Sequence, residues 1–105
     1  MQLDKSFGET IKELRTKNNL TLREVAEYLK IDTSMLGKIE KNNRKPSKKM
    51  IKDISKLFCI DEDLLIVVHL SDTIVHSILE EDLATKVLKV AEEKINYYYK
   101  NKAVK

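Results

Sequence analysis

The chain has 105 residues, of which 42% are hydrophobic and 35% are charged, with only two glycines and one proline. This length suits one domain with a short appendage, and the scarcity of turn-forming residues favours helices joined by short polar connections. The net charge of +3 is too small to identify a partner, and the longest apolar run, residues 64–68, is too short to span a membrane.

Capping signals predict four short helices in the first half of the chain. Two of the starts are capping boxes, in which Glu9 and Glu24 follow a Ser or a Thr by three residues. The other two starts are an Asp and a Ser that follows Pro46. Apolar residues recur at helical spacing after each start, and no β alternation persists anywhere. The predicted N-cap residues are Ser6, Thr21, Asp32 and Ser47.

Asp61 predicts the start of a fifth helix, and the chain becomes more apolar after it. Residues 64–79 are apolar nearly all round, which is typical of a helix buried on more than one side. Residues 80–82 predict a break, and a last helix is predicted from about Glu81 to Lys100. Its apolar seam follows the alternating four- and three-residue spacing of a coiled coil. The seam consists of Ala84, Leu88, Ala91, Ile95 and Tyr98.

This seam is about two heptads long, which is too short to hold a dimer by itself. It can pack against the fifth helix or against a second copy of the chain. We expect a homodimer, because five short helices offer too little apolar surface to bury both late helices. The predicted dimer interface consists of Leu64, Val68, Val75, Leu88, Ala91, Ile95 and Tyr98.

Basic residues are concentrated in residues 38–52, where Glu40 is the only acid. A basic segment on a nearly neutral chain indicates an anionic partner for that segment, and a solvated lysine-rich surface is the alternative. The basic residues are Lys38, Lys41, Arg44, Lys45, Lys48, Lys49 and Lys52.

Two short predicted helices, residues 21–29 and 32–41, are separated only by Lys30 and Ile31. So short a connection imposes a sharp crossing, which is the geometry of a helix-turn-helix. Leu36 and Ile39 form the inner edge of the second helix, while its outer edge is small, polar or cationic. Such an outer edge suits insertion into the major groove of DNA. It consists of Thr33, Ser34, Gly37 and Lys38.

Residues 19–46, with the sequence NLTLREVAEYLKIDTSMLGKIEKNNRKP, resemble the helix-turn-helix of the phage-repressor superfamily, the Cro-like or XRE-type regulators. The resemblance extends from about Phe7 to Leu65. The predicted helices make the fold all-α, and the resemblance implies a five-helix repressor-like DNA-binding domain in residues 1–66. The seam of the last helix predicts that residues 67–105 are a C-terminal helical extension for dimerisation. The matching positions are Leu20, Thr21, Val25, Ala26, Leu29, Ile31, Leu36, Ile39, Glu40 and Pro46.

The resemblance also implies roles for individual residues. Thr33, Ser34, Gly37 and Lys38 match base-reading positions of the recognition helix. Arg15 and Glu40 match a largely buried ion pair between the first and third helices, which is a structural role. Phosphate contacts are expected from the first motif helix, the loop after the recognition helix and the start of the fourth helix. These are Thr21, Arg23, Lys41, Asn43, Arg44, Lys45 and Lys48.

Three positions depart from the pattern of this family. Leu22 stands where a Gln often touches phosphate, which puts that contact in doubt. Asn42 replaces the usual Gly after the third helix and tolerates the left-handed conformation. Gly37 replaces a usual Ser, which indicates either close approach of the backbone to DNA or a neutral surface glycine.

The sequence contains no pattern that predicts catalysis, a metal site or a cofactor. His69 and His76 lie two turns apart on one predicted helix, but a metal site needs more ligands than these two. Cys59 is the only cysteine, so it can form no intramolecular disulfide and is expected to be a small core residue. We therefore expect a cytoplasmic protein that is not an enzyme, with no cofactor and no evident small-molecule ligand.

The function predicted from these features is sequence-specific regulation of transcription by a homodimer on a palindromic operator. Double-stranded DNA and a second copy of the chain are the expected partners. The domain arrangement also resembles controller proteins of restriction-modification systems, while an antitoxin-like protein or a phage repressor is the other interpretation. In a rival interpretation, the chain is a protein-interaction module that binds a partner protein through its late helices.

Overall fold

The computed structural model describes residues 3–102, and these form six α-helices and no strand. The prediction of an all-α fold is confirmed, and the break predicted at residues 80–82 falls between the last two helices. The helices are α1 (Phe7–Lys17), α2 (Leu22–Leu29), α3 (Thr33–Glu40), α4 (Lys48–Phe58), α5 (Glu62–Ile78) and α6 (Ala84–Lys102).

The helix starts follow the predicted capping residues. The hydroxyl of Ser6 accepts a hydrogen bond from the backbone N–H of Glu9, and the carboxylate of Glu9 accepts one from the backbone N–H of Ser6. The hydrogen bond that the Glu9 carboxylate accepts from the backbone N–H of Ser6 lowers the pKa of Glu9, and the Ser6 side chain lowers it further. Thr21 begins α2 with the same capping box, and Ser47 caps α4 through the N–H of Met50. Each cap contributes about 1 kcal/mol to stability.

Asp32 corrects one expectation about these starts. It holds the N-cap position of α3 with extended backbone, but its carboxylate accepts no capping hydrogen bond. Asp61, by contrast, accepts from the backbone N–H of Asp63 at 3.0 Å, as expected for the start of α5. The start of α3 therefore lacks the side-chain capping hydrogen bond that Asp61 provides at the start of α5.

Two polar contacts tie the start of α1 to distant elements. Asn42 adopts a φ of 62°, and its side chain accepts from the N–H of Gly8 at 3.0 Å and donates to the Ser6 hydroxyl at 2.9 Å. The carboxylate of Asp72 accepts from the N–H of Phe7 at 2.8 Å. Both contacts satisfy N–H groups that have no partner inside α1.

Gly8 allows α1 to approach the end of α3 at backbone distance. A Cβ on this residue would lie 2.5 Å from the carbonyl oxygens of Ile39 and Glu40. A side chain at this position would push the two helices apart, so glycine is required by the crossing itself.

A single hydrophobic core joins α1 to α5. The buried residues come from all five helices, and the larger ones are fully enclosed. They are Phe7, Ile11, Val25, Ala26, Leu29, Leu36, Ile39, Met50, Ile51, Ile54, Leu65 and Val68. Cys59 does not belong to this core, contrary to expectation, because it is exposed at the left-handed C-cap of α4.

The chain divides into two compact units after Thr73. The division lies inside α5, downstream of the predicted boundary between residues 66 and 67. Within the first unit α5 buries Leu65 and Val68, while Val67 and Leu70 are exposed. The expectation that this helix is buried on more than one side is therefore wrong for the single chain, because only the face that meets the core is covered.

The second unit contains the end of α5 and α6, and none of the residues of α6 is buried. No helix in residues 3–102 is both long and apolar enough to cross a membrane. The exposed large apolar residues of this unit are Ile74, Val75, Leu79, Leu83, Val87, Leu88, Val90, Ile95, Tyr97, Tyr98 and Tyr99.

Candidate nucleic-acid interface

The turn between α2 and α3 is held by the backbone. Lys30 adopts the left-handed conformation at the C-cap of α2, and the N–H of Ile31 donates to the carbonyl of Ala26 at 3.0 Å. Three residues, 30–32, separate the two helices. This short connection makes α2 and α3 a helix-turn-helix.

The two sides of α3 differ sharply in burial. Leu36 and Ile39 are almost completely enclosed by the core. The predicted base-reading residues Thr33, Ser34 and Lys38 are exposed on the other side, and Gly37 is half-exposed between them. A Cβ on Gly37 would meet no heavy atom within 4 Å, so the free fold does not require a glycine there.

Arg15 and Glu40 form an ion pair that anchors the end of α3 to α1. The Nε of Arg15 lies 2.8 Å from one carboxylate oxygen of Glu40, and Nη2 lies 3.0 Å from the other. Nη1 donates to the carbonyl of Leu20 at 3.1 Å. The hydrogen bond with Glu40 raises the pKa of Arg15. Since these side chains are only 12% and 6% exposed, neither can read DNA, and the pair acts by holding α3 in place.

The predicted phosphate-contacting residues of the loop and of α4 are all exposed to solvent. Ion pairs in the described part of the chain involve none of them. The backbone N–H of Asn43 donates to the carbonyl of Lys38 at 2.8 Å, which fixes the loop to the end of α3. This group consists of Lys41, Asn43, Arg44, Lys45 and Lys48.

The predicted phosphate contacts on α2 are already engaged in local interactions. Thr21 uses its hydroxyl oxygen as the N-cap of α2, which leaves the hydroxyl hydrogen available. Arg23 pairs with Glu27 at 3.3 Å, and both side chains are largely exposed. Leu22 packs against the core, so its departure from the usual Gln contributes to folding.

The predicted dimer-interface residues differ in burial and fall into three groups. Val68 is a correction: it is 1% exposed and belongs to the intramolecular core, so it has no surface left for a second copy. Leu64 is half-buried near α1. The remaining residues are exposed. They are Val75, Leu88, Ala91, Ile95 and Tyr98.

Three residues with clear roles in positioning the site were not predicted to have them. Gly8 permits the close crossing of α1 and α3, Asn42 joins the loop after α3 to α1, and Asp72 joins α5 to α1. The sequence indicated part of the role of Asn42, because an Asn that tolerates positive φ is expected at the end of α3. Asp72 carried none, because its partner lies 65 positions away in the sequence.

Two further residues were considered as metal ligands from the sequence. His69 lies edge-on to Phe7, with ring centroids 5.6 Å apart, and His76 lies beyond the division between the units. Residues 3–102 contain no group of three or more His, Cys, Asp or Glu side chains placed to hold a metal ion.

A family model described as a helix-turn-helix domain matches residues 8–68 of this chain. The chain belongs to the XRE-type helix-turn-helix family. Members of this family are DNA-binding transcription regulators, and the match covers α1 to the middle of α5, including the exposed face of α3. The predicted family is confirmed.

A curated relative of this helix-turn-helix protein is the HTH-type transcriptional activator BcrR from Enterococcus faecalis. The two sequences are 35% identical over 60 residues, which cover 57% of this chain. The chain spans only 29% of the length of that relative. The similarity therefore concerns less than a third of BcrR.

Two solved structures share the helix-turn-helix fold with this protein. The clp gene regulator ClgR from Corynebacterium glutamicum aligns with a TM-score of 0.54 and 18% identity, covering 94% of this chain and 92% of ClgR. A chain of the SinR protein/SinI protein complex aligns with a TM-score of 0.52 and 21% identity, covering 92% and 98%. At these identities the likeness establishes the fold alone.

Proposed function

We propose that this chain is a sequence-specific transcription regulator that binds a palindromic operator as a homodimer in the cytoplasm. Each protomer inserts α3 into a major groove, where Thr33, Ser34 and Lys38 contact base edges. Lys38 is assigned to guanine, because a lysine ammonium donates well to the O6 and N7 acceptors of that base. The backbone of Gly37 approaches the DNA closely.

The observation that carries this proposal is the division of α3 into two faces. Its inner face is anchored by buried Leu36 and Ile39 and by the ion pair of Glu40. Its outer face is exposed and adjoins the cations of the loop, from Lys41 to Lys45. A rigid helix with small polar side chains beside unpaired cations suits base reading flanked by phosphate contacts.

The homodimer is supported by the apolar residues that α6 leaves exposed. Monomeric proteins rarely expose extended apolar patches, and the 4,3 spacing of Leu88, Ala91 and Ile95 suits a second helix. In a dimer with twofold symmetry, two recognition helices enter successive major grooves about 34 Å apart. In one setting, such a regulator controls its own restriction-modification operon. In the other, the chain is a phage repressor or an antitoxin-like protein.

The first test is selection of genomic fragments by the purified protein at about physiological salt. Wild type is expected to enrich one palindrome, and Lys38→Ala is expected to relax the choice of base at one position, by about 1–3 kcal/mol. Lys12→Ala, which removes an exposed charge from α1, serves as the control and should keep the preference. Only weak retention of all fragments, abolished by added salt, would sink the proposal.

A second candidate function is a protein-interaction module that uses the late helices to bind a partner protein. The exposed apolar face of α6 favours it. Leu22 also favours it, because this residue cannot make the phosphate hydrogen bond of the usual Gln. The double variant Arg44→Ala/Lys45→Ala separates the two candidates. A regulator loses DNA affinity, and its salt slope falls by about two units, whereas an interaction module retains its protein complex unchanged.

A further inference from the structure

The outer face of α4 carries a row of lysines that continues beyond the predicted phosphate contacts. Lys48, Lys52 and Lys56 are spaced four residues apart and are all exposed, so they lie on successive turns of one side of the helix. The opposite side holds Met50, Ile51 and Ile54 in the core. With a rise of 1.5 Å per residue, the row is about 12 Å long. We call these three residues the lysine ridge.

The lysine ridge is unfavourable for the free protein. Like charges four residues apart on a helix repel each other, and Lys48 at the start of α4 opposes the helix dipole, whereas Lys56 lies in the last turn, where the dipole favours a cation. The first turn of α4 nevertheless has no acidic residue and begins with Lys48 and Lys49. Nothing in the packing of α4 requires these charges, because the ridge points away from the core.

Acidic residues form no ion pair with the ridge in the described part of the chain, although Glu62 lines a groove together with the first lysine of the ridge. Asp53 pairs instead with Lys49 at 2.9 Å. The hydrogen bond from Lys49, reinforced by the charges of Lys56 and Lys30, lowers the pKa of Asp53. The surroundings of this carboxylate are therefore strongly cationic.

The surface around the ridge suits phosphate better than protein. Protein interfaces need apolar or aromatic side chains at their centre. The groove beside Lys48 also contains Ile66 and the exposed Leu70, so this end of the ridge adjoins apolar surface. The other two lysines of the ridge do not line that groove, and α4 itself exposes no large apolar side chain strongly. The ridge also begins directly after the loop of Arg44 and Lys45, so it continues the proposed phosphate-contacting surface along the chain.

We infer that Lys52 and Lys56 bind the phosphate backbone of duplex DNA that flanks the operator half-site. The inference rests on the proposed function and extends it, because the contact lies outside the bases that α3 reads. It contributes affinity without sequence preference, through release of counterions from the flanking duplex. The half-site bound by each protomer is thus longer than the bases that specify it.

The test compares binding to a minimal operator duplex and to the same operator with flanking sequence on both sides. Wild type is expected to bind the long duplex more tightly, and Lys52→Ala/Lys56→Ala to remove this advantage while affinity for the minimal duplex stays within twofold. The loss on the long duplex is roughly tenfold or more at 0.1 M salt, with a salt slope reduced by about 0.9 per lost phosphate.

Two control variants separate charge from structure. Lys52→Arg/Lys56→Arg keeps the charge and should retain the length advantage. Lys12→Ala/Lys89→Ala removes two exposed lysines from other helices and should also retain it. Thermal unfolding of each variant checks that the fold is intact.

The outcomes distinguish this inference from the proposed function. Equal binding of both duplexes by wild type, or equal loss on both in the double alanine variant, overturns the inference and leaves operator recognition standing. If wild type prefers no sequence, the proposed function fails. A comparison of short and long duplexes of arbitrary sequence then tests separately whether Lys52 and Lys56 bind backbone phosphate.

Discussion

The two units of this chain differ in how they use their apolar residues. In the first unit, twelve hydrophobic residues are buried in one core, and the largest of them are fully enclosed. In the second unit, α6 buries no residue, and both Leu88 and Ile95 remain about half exposed. The first unit therefore covers most of its apolar surface, with Val67 and Leu70 among the exceptions, whereas the second leaves its apolar residues uncovered in the single chain.

Polar interactions follow the same division. The first unit contains the buried ion pair of Arg15 and Glu40 and hydrogen bonds between residues more than thirty positions apart. In α6 the side-chain contacts are local, such as Lys102 above the ring of Tyr98 and Asn101 bonded to the carbonyl of Tyr97. Recognition of DNA needs a rigidly held helix, and assembly needs an uncovered one, so the two units suit different tasks.

The largest expected effect is in the first unit. Glu40→Ala leaves the guanidinium of Arg15 buried without its carboxylate, which should lower the free energy of unfolding by about 3–5 kcal/mol. Urea denaturation of the purified variant measures this. Glu27→Ala breaks the exposed pair with Arg23 and should cost at most about 1 kcal/mol. Similar losses in the two variants would contradict the structural role assigned to Glu40.

The second effect tests the uncovered face of α6. Leu88→Asp/Ile95→Asp introduces two charges into the seam and should abolish the homodimer, as measured by analytical ultracentrifugation. Operator affinity should then fall by about a hundredfold or more, because the two half-sites no longer bind together. The core of the first unit is untouched, so its cooperative unfolding should persist.

The control for this variant adds the same two charges to polar positions of α6. Thr85→Asp/Asn96→Asp should remain dimeric, since these residues lie outside the apolar seam. A wild-type chain that is monomeric at micromolar concentration, or a dimer that survives the Leu88 and Ile95 changes, would refute the assignment of this face to a second copy.

The smallest expected effect on stability concerns Gly37, on the exposed face of α3 in the first unit. Gly37→Ala places a methyl group in open space on α3, so the free protein should become more stable by about 0.5–1 kcal/mol. Operator affinity should fall, because the methyl group meets the DNA that the glycine admits. Thermal unfolding and fluorescence anisotropy on the same sample measure both. Unchanged affinity would make Gly37 a neutral surface residue.

Local signals in the sequence predicted much of this molecule. The capping boxes of Ser6 and Thr21 mark helix starts through contacts three residues apart, and the spacing of Leu36 and Ile39 identifies the inner face of α3. The prediction for Asp32 was wrong in detail, because a residue type favoured at an N-cap need not turn its side chain toward the helix.

The sequence by itself determined the helices, their order and the polar face of α3, because capping and periodicity act within a few residues of the chain. Only the tertiary structure decided which apolar faces are covered: it buried Val68 and left Leu70 exposed on the same helix. It also required a glycine at position 8, where two backbones cross. Such features depend on how helices far apart in the sequence are placed, and a pattern of neighbouring residues in the sequence does not determine that placement.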